Sequence, residues 1–240
     1  MTSQTQGEEL YELDLLIPTA RFVFAVEGER VDVVPEHRSP EASAAYARLR
    51  AERPVVGMTT FPNTLLLRGP RTVLVDPGLQ LQNEPVLGAL AARGLGPADL
   101  DMVVLTHAHD DHADALVDFP LDLPVVLHAL EPGGRHWAAV SGVLEQHRLQ
   151  FLEGEEGEIA PGLQWALTPA HTAGSIALCC RTAAGVTVCC GDTVGPQKEP
   201  FLAMDPGEGE EAAALLAAWR RIRAFAPDLV VAGHLPPFAP

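Results

Sequence analysis

The sequence predicts an α+β chain with two sheets flanked by helices, and three observations predict it. Short β-rich segments come in adjacent pairs around Gly- and Pro-bearing turns, as in hairpins. Segments with apolar residues at helical spacing stand between and after these pairs. A regular strand–helix–strand alternation, the mark of a wholly parallel sheet, is missing.

Along the chain, residues 1 to 15 read as a loose start. Arg21 to Glu27 and Arg30 to Val34 form a hairpin across Glu27-Gly28-Glu29. Pro35 to Pro54 is polar and Pro-bounded with an Ala-rich middle, a loop holding a short helix. Thr64 to Arg68 and Thr72 to Asp76 are strands around Gly69-Pro70. Pro85 to Arg93 is helical and stops at Gly94. Met102 to Thr106 and Val125 to His128 are buried strands, and Ala138 to His147 is a helix. Leu163 to Leu167, Ser175 to Arg181 and Val186 to Cys190 are strands. Gly209 to Ala226 is a helix with Leu215, Leu216, Trp219, Ile222 and Phe225 on one face, and Leu229 to Ala232 is the last strand. No Gly/Ser linker or low-complexity tract divides the chain, so residues 1–240 read as one domain.

Composition narrows the function. Hydrophobic residues make up 47% of 240, enough for a sizeable core. The net charge of -16 argues against a nucleic-acid partner, because such binding is largely electrostatic. No apolar run is long enough to span a bilayer, and Met1 to Glu9 carries no secretion signal, so a cytoplasmic location without membrane contact is expected. A homodimer is compatible with this reading. Cys179-Cys180 and Cys189-Cys190 lie in two apolar runs joined by a short turn, with no CxxC spacing. They read as small hydrophobes on a hairpin, with a cross-strand disulfide or a redox role as the competing reading.

The chemistry sits in Leu105-Thr106-His107-Ala108-His109-Asp110-Asp111-His112, directly after a buried strand. His107 and His109 are two apart, so in extended chain both imidazoles face one side and can share a metal. Asp111 and His112 follow after a turn and can reach a second metal nearby. Imidazole and carboxylate together suit Zn²⁺. His171, Asp192 and His234 each follow another predicted strand. Four strands would thus deliver ligands to the loops beyond their C-terminal ends.

This pattern, HxHxDH followed by a single His, a single Asp and a final His, resembles the metallo-β-lactamase superfamily. Flanking segments match too: Val75-Asp76-Pro77-Gly78, Thr168 to Ser175 around His171, Gly191-Asp192 and Gly233-His234. The family writes Gly where this chain has Ala170. The resemblance covers roughly residues 55 to 238. It implies a four-layer αββα sandwich with the metals at one edge of the sheets. By position, His107, His109 and His171 would hold one divalent ion, and Asp111, His112 and His234 the other, with Asp192 bridging. The ions would be Zn²⁺, with Mn²⁺ or Fe²⁺ as alternatives. A hydroxide between the metals would be the nucleophile, and Asp111 would orient it or carry its proton to the leaving group. Asp76 and Thr106 would hydrogen-bond ligand imidazoles and fix their tautomers, Asp76 having a plain turn role as its alternative.

Departures within the family direct the substrate reading. Asp192 stands where lactam-hydrolysing members often carry Cys, which argues against β-lactamase activity. His109 replaces the Glu of the flavin-linked diiron branch. Six residues follow His234, leaving no room for the thioester-recognising helical domain of glyoxalase II enzymes. Gly195 stands where acyl-homoserine lactonases have Tyr. The layout looks most like a short branch of the superfamily, one animal member of which is linked to RNA cleavage. The expected activity is hydrolysis of an ester-like bond (ester, lactone or thioester) in a small molecule. Alternatives are a phosphodiesterase or ribonuclease, a non-catalytic metal-binding module, and a mononuclear iron sulfur-dioxygenase. Thr193 to Pro206 and Gly57 to Asn63 are the expected substrate loops. Trp137, Phe201 and Met204 are pocket-wall candidates, with packing as the equal alternative. His128 reads as a loop or capping residue, and His37, His136 and His147 receive no role.

Overall fold

A computed structural model describes residues 10–19, 22–26, 29–33, 55–79 and 85–240, with helical positions at 44, 47, 48, 51 and 52. His37 and most of the expected 35–54 loop lie outside the described residues. The chain runs through β1 (Glu12–Ile17), β2 (Phe22–Val26), β3 (Glu29–Val33), β4 (Val55–Thr60), β5 (Thr64–Arg68) and β6 (Thr72–Val75). Helix α1 (Pro85–Ala91), β7 (Met102–Val104), α2 (Asp110–Ala113), β8 (Pro124–His128), α3 (Trp137–Leu144) and β9 (Arg148–Leu152) follow. Then come β10 (Glu156–Ala160), β11 (Leu163–Leu167), β12 (Ile176–Thr182), β13 (Gly185–Gly191), α4 (Glu199–Ala203), α5 (Ala212–Ala224) and β14 (Leu229–Ala232).

These strands make a six-stranded sheet, β1-β5-β6-β7-β8-β9, and a five-stranded sheet, β10-β11-β12-β13-β14. A third, small sheet has the order β3-β2-β4. Side-chain alternation sorts the two large sheets into layers. Leu65, Leu67, Val73, Val75, Val104 and Val126 face Leu163, Trp165, Ile176, Leu178 and Val231 in one buried cluster between the sheets. On the outer face of the first sheet, Leu66, Leu74, Val103 and Leu127 pack against Val86 and Leu90 of α1 and Val140 and Leu144 of α3. On the outer face of the second, Ala177, Val188 and Val230 pack against Trp219 and Ile222 of α5. The result is the expected αββα sandwich. No described helix is long and apolar enough to cross a membrane.

The four cysteines divide across the second sheet. Cys180 and Cys189 enter the core between the sheets, and Cys179 and Cys190 the helix-side core. All four are free thiols. Burial pushes Cys179 up to about 11 and Cys180 up to about 12, so they act as small core hydrophobes and the disulfide reading fails.

Three expectations change. Glu12 to Leu15, expected to be loose, belong to β1, which pairs antiparallel with β5, and Tyr11, Leu16 and Ile17 are buried. Gly57 to Thr60 is not a loop but the end of β4, paired with β2. Phe201 is no pocket wall: it is fully buried against Trp219 and Phe238.

Candidate metal centre

Parallel pairing sets where the ligands emerge. β6, β7 and β8 run side by side in one sheet, and β13 and β14 in the other, so their C-terminal ends share one edge of the sandwich. His107 and His109 lie beyond β7, and Asp111 and His112 ride on the short helix α2. His171, Asp192 and His234 follow β11, β13 and β14. All seven side chains come together. Their ligand atoms form three groups, each within 4.8 Å: His107/His109/His171, His107/His112/Asp192 and Asp111/His112/His234.

The donor set fits metal ions, and unpaired atoms show it. Buried polar atoms are almost always hydrogen-bonded. Here His107 Nε2, His112 Nε2 and Asp192 Oδ1 are buried without a hydrogen-bond partner. His109 Nδ1 and His171 Nε2 face each other at 3.0 Å. Two nitrogens on a tetrahedral Zn²⁺ would stand roughly 3.3 Å apart, given bonds of about 2.0 Å. Asp192 faces both clusters: Oδ1 lies 3.4 Å from His112 Nε2, and Oδ2 lies 3.6 Å from His171 Nε2 and 3.5 Å from His234 Nε2. Asp111 Oδ2 is 3.0 Å from His234 Nε2.

Protonation follows the same division. Burial, reinforced by the charge on His112, holds His107 well below the ordinary histidine range. Burial and His171 lower His109 to about 4. Both imidazoles are therefore neutral, with lone pairs to offer. Burial alone would raise the Asp192 carboxyl, but the charge and hydrogen bond of His112 hold it far below the usual carboxylate range.

Asp76 and Thr106 stand where tautomers are decided. Thr106 Oγ1 donates to Asp76 Oδ2 at 2.7 Å and lies 3.1 Å from His107 Nδ1. With its one hydrogen committed, the hydroxyl accepts from His107 Nδ1–H and leaves Nε2 bare for a metal. Asp76 Oδ2 also lies 3.0 Å from His112 Nδ1, and Oδ1 takes the Thr106 N–H at 2.8 Å. Asp76 adopts φ +48, a conformation few non-glycine residues take. Asp76 is buried, and these contacts hold the strained backbone in place.

Two supports escaped the sequence reading. Glu131, 5% exposed, accepts the Ala108 N–H at 2.9 Å and the Thr172 hydroxyl at 2.5 Å. It thereby joins the loop of His107 and His109 to the loop of His171. A Cβ on Gly174 would fall 2.6 Å from its Oε1, which explains the glycine. Asn63 donates from Nδ2 to Ala232 O and Leu235 O at 2.7 and 2.6 Å, bracketing His234. Asn63, at the end of a segment expected to touch substrate, thus staples the loop of His234.

Glu131→Ala is expected to lower turnover about 10- to 100-fold by loosening His109 against His171. Glu131→Gln should recover most of this, since its carbonyl accepts from Ala108 and its amide donates to the Thr172 hydroxyl. Comparing kcat with melting temperature for both variants separates positioning from bulk destabilisation.

Other candidates resolve as structural or shift position. His128 is buried against Trp165, and its Nε2 lies 3.0 Å from Gly154 O. His147 Nε2 lies 3.0 Å from Leu116 O. Of the pocket-wall candidates, Trp137 lines a cavity of about 380 Å³ beside His171, together with Arg135 and His136. Thr193 to Pro206 contributes nothing to that wall.

A family model for the metallo-beta-lactamase superfamily matches residues 58–234. Metallo-beta-lactamase domain-containing protein 1 of Homo sapiens is 35% identical over 176 residues, covering 71% of this chain and 60% of the human protein. The Xenopus laevis protein of the same name is 31% identical over 179 residues, covering 72% of this chain and 70% of the relative. The chain thus spans less than two thirds of the human relative's length. A metallo-beta-lactamase-type structure from Thermotoga maritima superposes with TM-score 0.68 at 20% identity, covering 96% of this chain and 100% of that one. An N-acyl homoserine lactone hydrolase, with N-hexanoyl-L-homoserine at its catalytic metal centre, superposes with TM-score 0.60 at 18% identity, covering 90% and 88%. Those identities establish a common fold. The chain belongs to the metallo-beta-lactamase superfamily and has its fold.

Proposed function

We propose that this protein uses two divalent ions, Zn²⁺ by preference, to hydrolyse an ester-like bond in a small molecule. The observation that carries the reading is the placement of Asp192, whose carboxylate faces His112 through one oxygen and His171 and His234 through the other. One carboxylate shared by two clusters suits a pair of ions. His107, His109 and His171 would hold the first, and Asp111, His112 and His234 the second. Bound there, the ions would lower the pKa of water and polarise the carbonyl under attack.

The chain's own residues do the rest. Asp76 and Thr106 keep the His107 and His112 lone pairs aimed inward. Asp111 is partly exposed, with 24% of its side chain accessible, and can accept a proton from water and return it to a leaving alkoxide. A lactone, ester or thioester fits this chemistry. Structural similarity to lactone hydrolases supports the lactone member of that set, while Gly195 in place of their Tyr argues that ring recognition differs.

Elemental analysis should find close to two metals per chain. A chelator should abolish turnover of a panel of lactones, esters and thioesters, and Zn²⁺ or Mn²⁺ should restore it. Full activity in the metal-free protein would overturn the proposal. Turnover of phosphodiesters, with none of the lactones, esters or thioesters cleaved, would move the assignment to phosphodiester cleavage.

A further inference from the structure

The cavity beside the centre carries a cation that the hydrolytic reading does not use. Arg135 and His136 lie on the turn between β8 and α3. They line the same cavity of about 380 Å³ as His171. That volume is in the small-molecule range. The His136 ring packs edge-on against His109, with centroids 4.1 Å apart and planes at 70°. Arg135 Nε donates to His136 Nε2 at 2.7 Å. His109, His136 and Arg135 therefore form a contiguous row leading away from the metal ligands along the cavity wall.

The guanidinium is oriented but not neutralised. The bond to His136 uses Nε and leaves both terminal nitrogens without a partner among the described residues. The chain has 32 acidic and 16 basic residues, and several of its arginines find a carboxylate. Arg68, Arg71, Arg93 and Arg221 each sit on a carboxylate. The cavity's own acids do not serve: Glu131 is occupied by Ala108 and Thr172, and Glu211 is exposed and makes no ion pair with Arg135 among the described residues. A guanidinium presenting two parallel N–H groups suits a planar carboxylate bidentately. One cation balances one negative charge, which favours a carboxylate over a phosphate monoester with its charge nearer two. Trp137 lines the same cavity, its indole N–H held 3.3 Å from Glu145 Oε1, and offers an apolar wall to the body of the molecule.

We infer that Arg135, oriented by His136, binds a carboxylate on the substrate, so the substrate class is an ester-like compound bearing a free acid remote from the scissile bond. This rests on the proposed hydrolase function for the word substrate, and the test keeps the two apart. Binding of unreactive dicarboxylates of three to six carbons to the metal-loaded protein is measured by calorimetry, against monocarboxylates and ω-phosphonocarboxylates of equal length. At least one dicarboxylate should bind about tenfold or more tightly than its monocarboxylate, as expected for one charge-assisted bidentate contact. Arg135→Ala should erase that preference while leaving monocarboxylate affinity unchanged. Arg135→Lys, a point charge without the fork, should keep only part of it.

Equal affinity for mono- and dicarboxylates, or a preference that survives Arg135→Ala, overturns the inference. A stronger preference for the phosphonates overturns the choice of carboxylate. In turnover, Arg135→Ala should raise KM for an acid-bearing ester and spare its neutral methyl ester, with kcat within about twofold for both. If the binding preference holds but no ester-like compound is hydrolysed, the hydrolase proposal fails and the carboxylate site stands.

Discussion

Asp192→Asn is expected to leave the chain folded, reduce bound metal from about two ions to about one, and cut hydrolysis by at least a thousandfold. The size follows from what the shared carboxylate would supply. Losing one ion of a pair removes several kcal/mol of transition-state stabilisation; at roughly 1.4 kcal/mol per tenfold, about 4 kcal/mol is a thousandfold. The carboxamide matches the carboxylate in shape, so His171 and His234 keep a neighbour of the same size at 3.6 and 3.5 Å. It differs in presenting an NH₂ where an anionic oxygen stood, and an NH₂ cannot ligate a cation. Metal content and circular dichroism, measured on the same preparation as turnover, separate loss of the second ion from loss of fold. A variant that retains two ions and works within tenfold of the wild type would remove Asp192 from the centre, and the two-ion reading with it.

The site was more legible in the sequence than its surroundings. Ligands had to follow buried strands, and buried strands announce themselves: Met102 to Val104 and Leu229 to Ala232 are unbroken apolar runs. The signal fails at exposed edges. Glu156–Ala160 forms β10 at the edge of its sheet, with Glu156 and Glu158 exposed. Charge on an edge strand guards against unwanted pairing, and that same charge leaves the segment without the apolar alternation that marks a strand. Likewise Gly57 to Thr60 carries no apolar alternation and read as a loop, yet it pairs with β2.

The missed supports have a different cause. Glu131 sits 23 residues from Ala108 and 41 from Thr172, and only the packed sandwich brings the three together. A lone Glu before Pro132-Gly133-Gly134 looks like turn punctuation. The one usable hint was Gly174, since a glycine beside a ligand loop can mean that another group needs its space. Asn63 is similar: its partners are 169 and 172 residues away. His136 was passed over because nothing in a polar turn shows which way a ring will face; the structure sets it against His109.

Gly233→Ala should disable the centre without altering any ligand, which makes it the sharper test of convergence. A Cβ built on Gly233 falls 2.0 Å from Asp192 Oδ1 and 3.2 Å from His112 Cε1. The backbone cannot retreat easily: Gly233 N–H donates to Gly191 O at 2.7 Å, and Gly233 O accepts the Asn63 N–H at 2.7 Å. Gly191 is itself fixed, because a Cβ there would lie 2.3 Å from Thr106 Oγ1. Relief must come from the Asp192 carboxylate moving off His112. A misplacement on the order of 1 Å costs about a hundredfold in turnover. Gly195→Ala is the control, since nothing lies within 4 Å of its Cβ, and it should be silent. Adding Asp192→Asn to Gly233→Ala should cost far less than the two losses combined, because both act on one carboxylate. If the double variant instead shows the full product of the single effects, Gly233 and Asp192 do not meet in solution as they meet here. The crowding that defines the centre would then be absent, however well the seven ligands match their family.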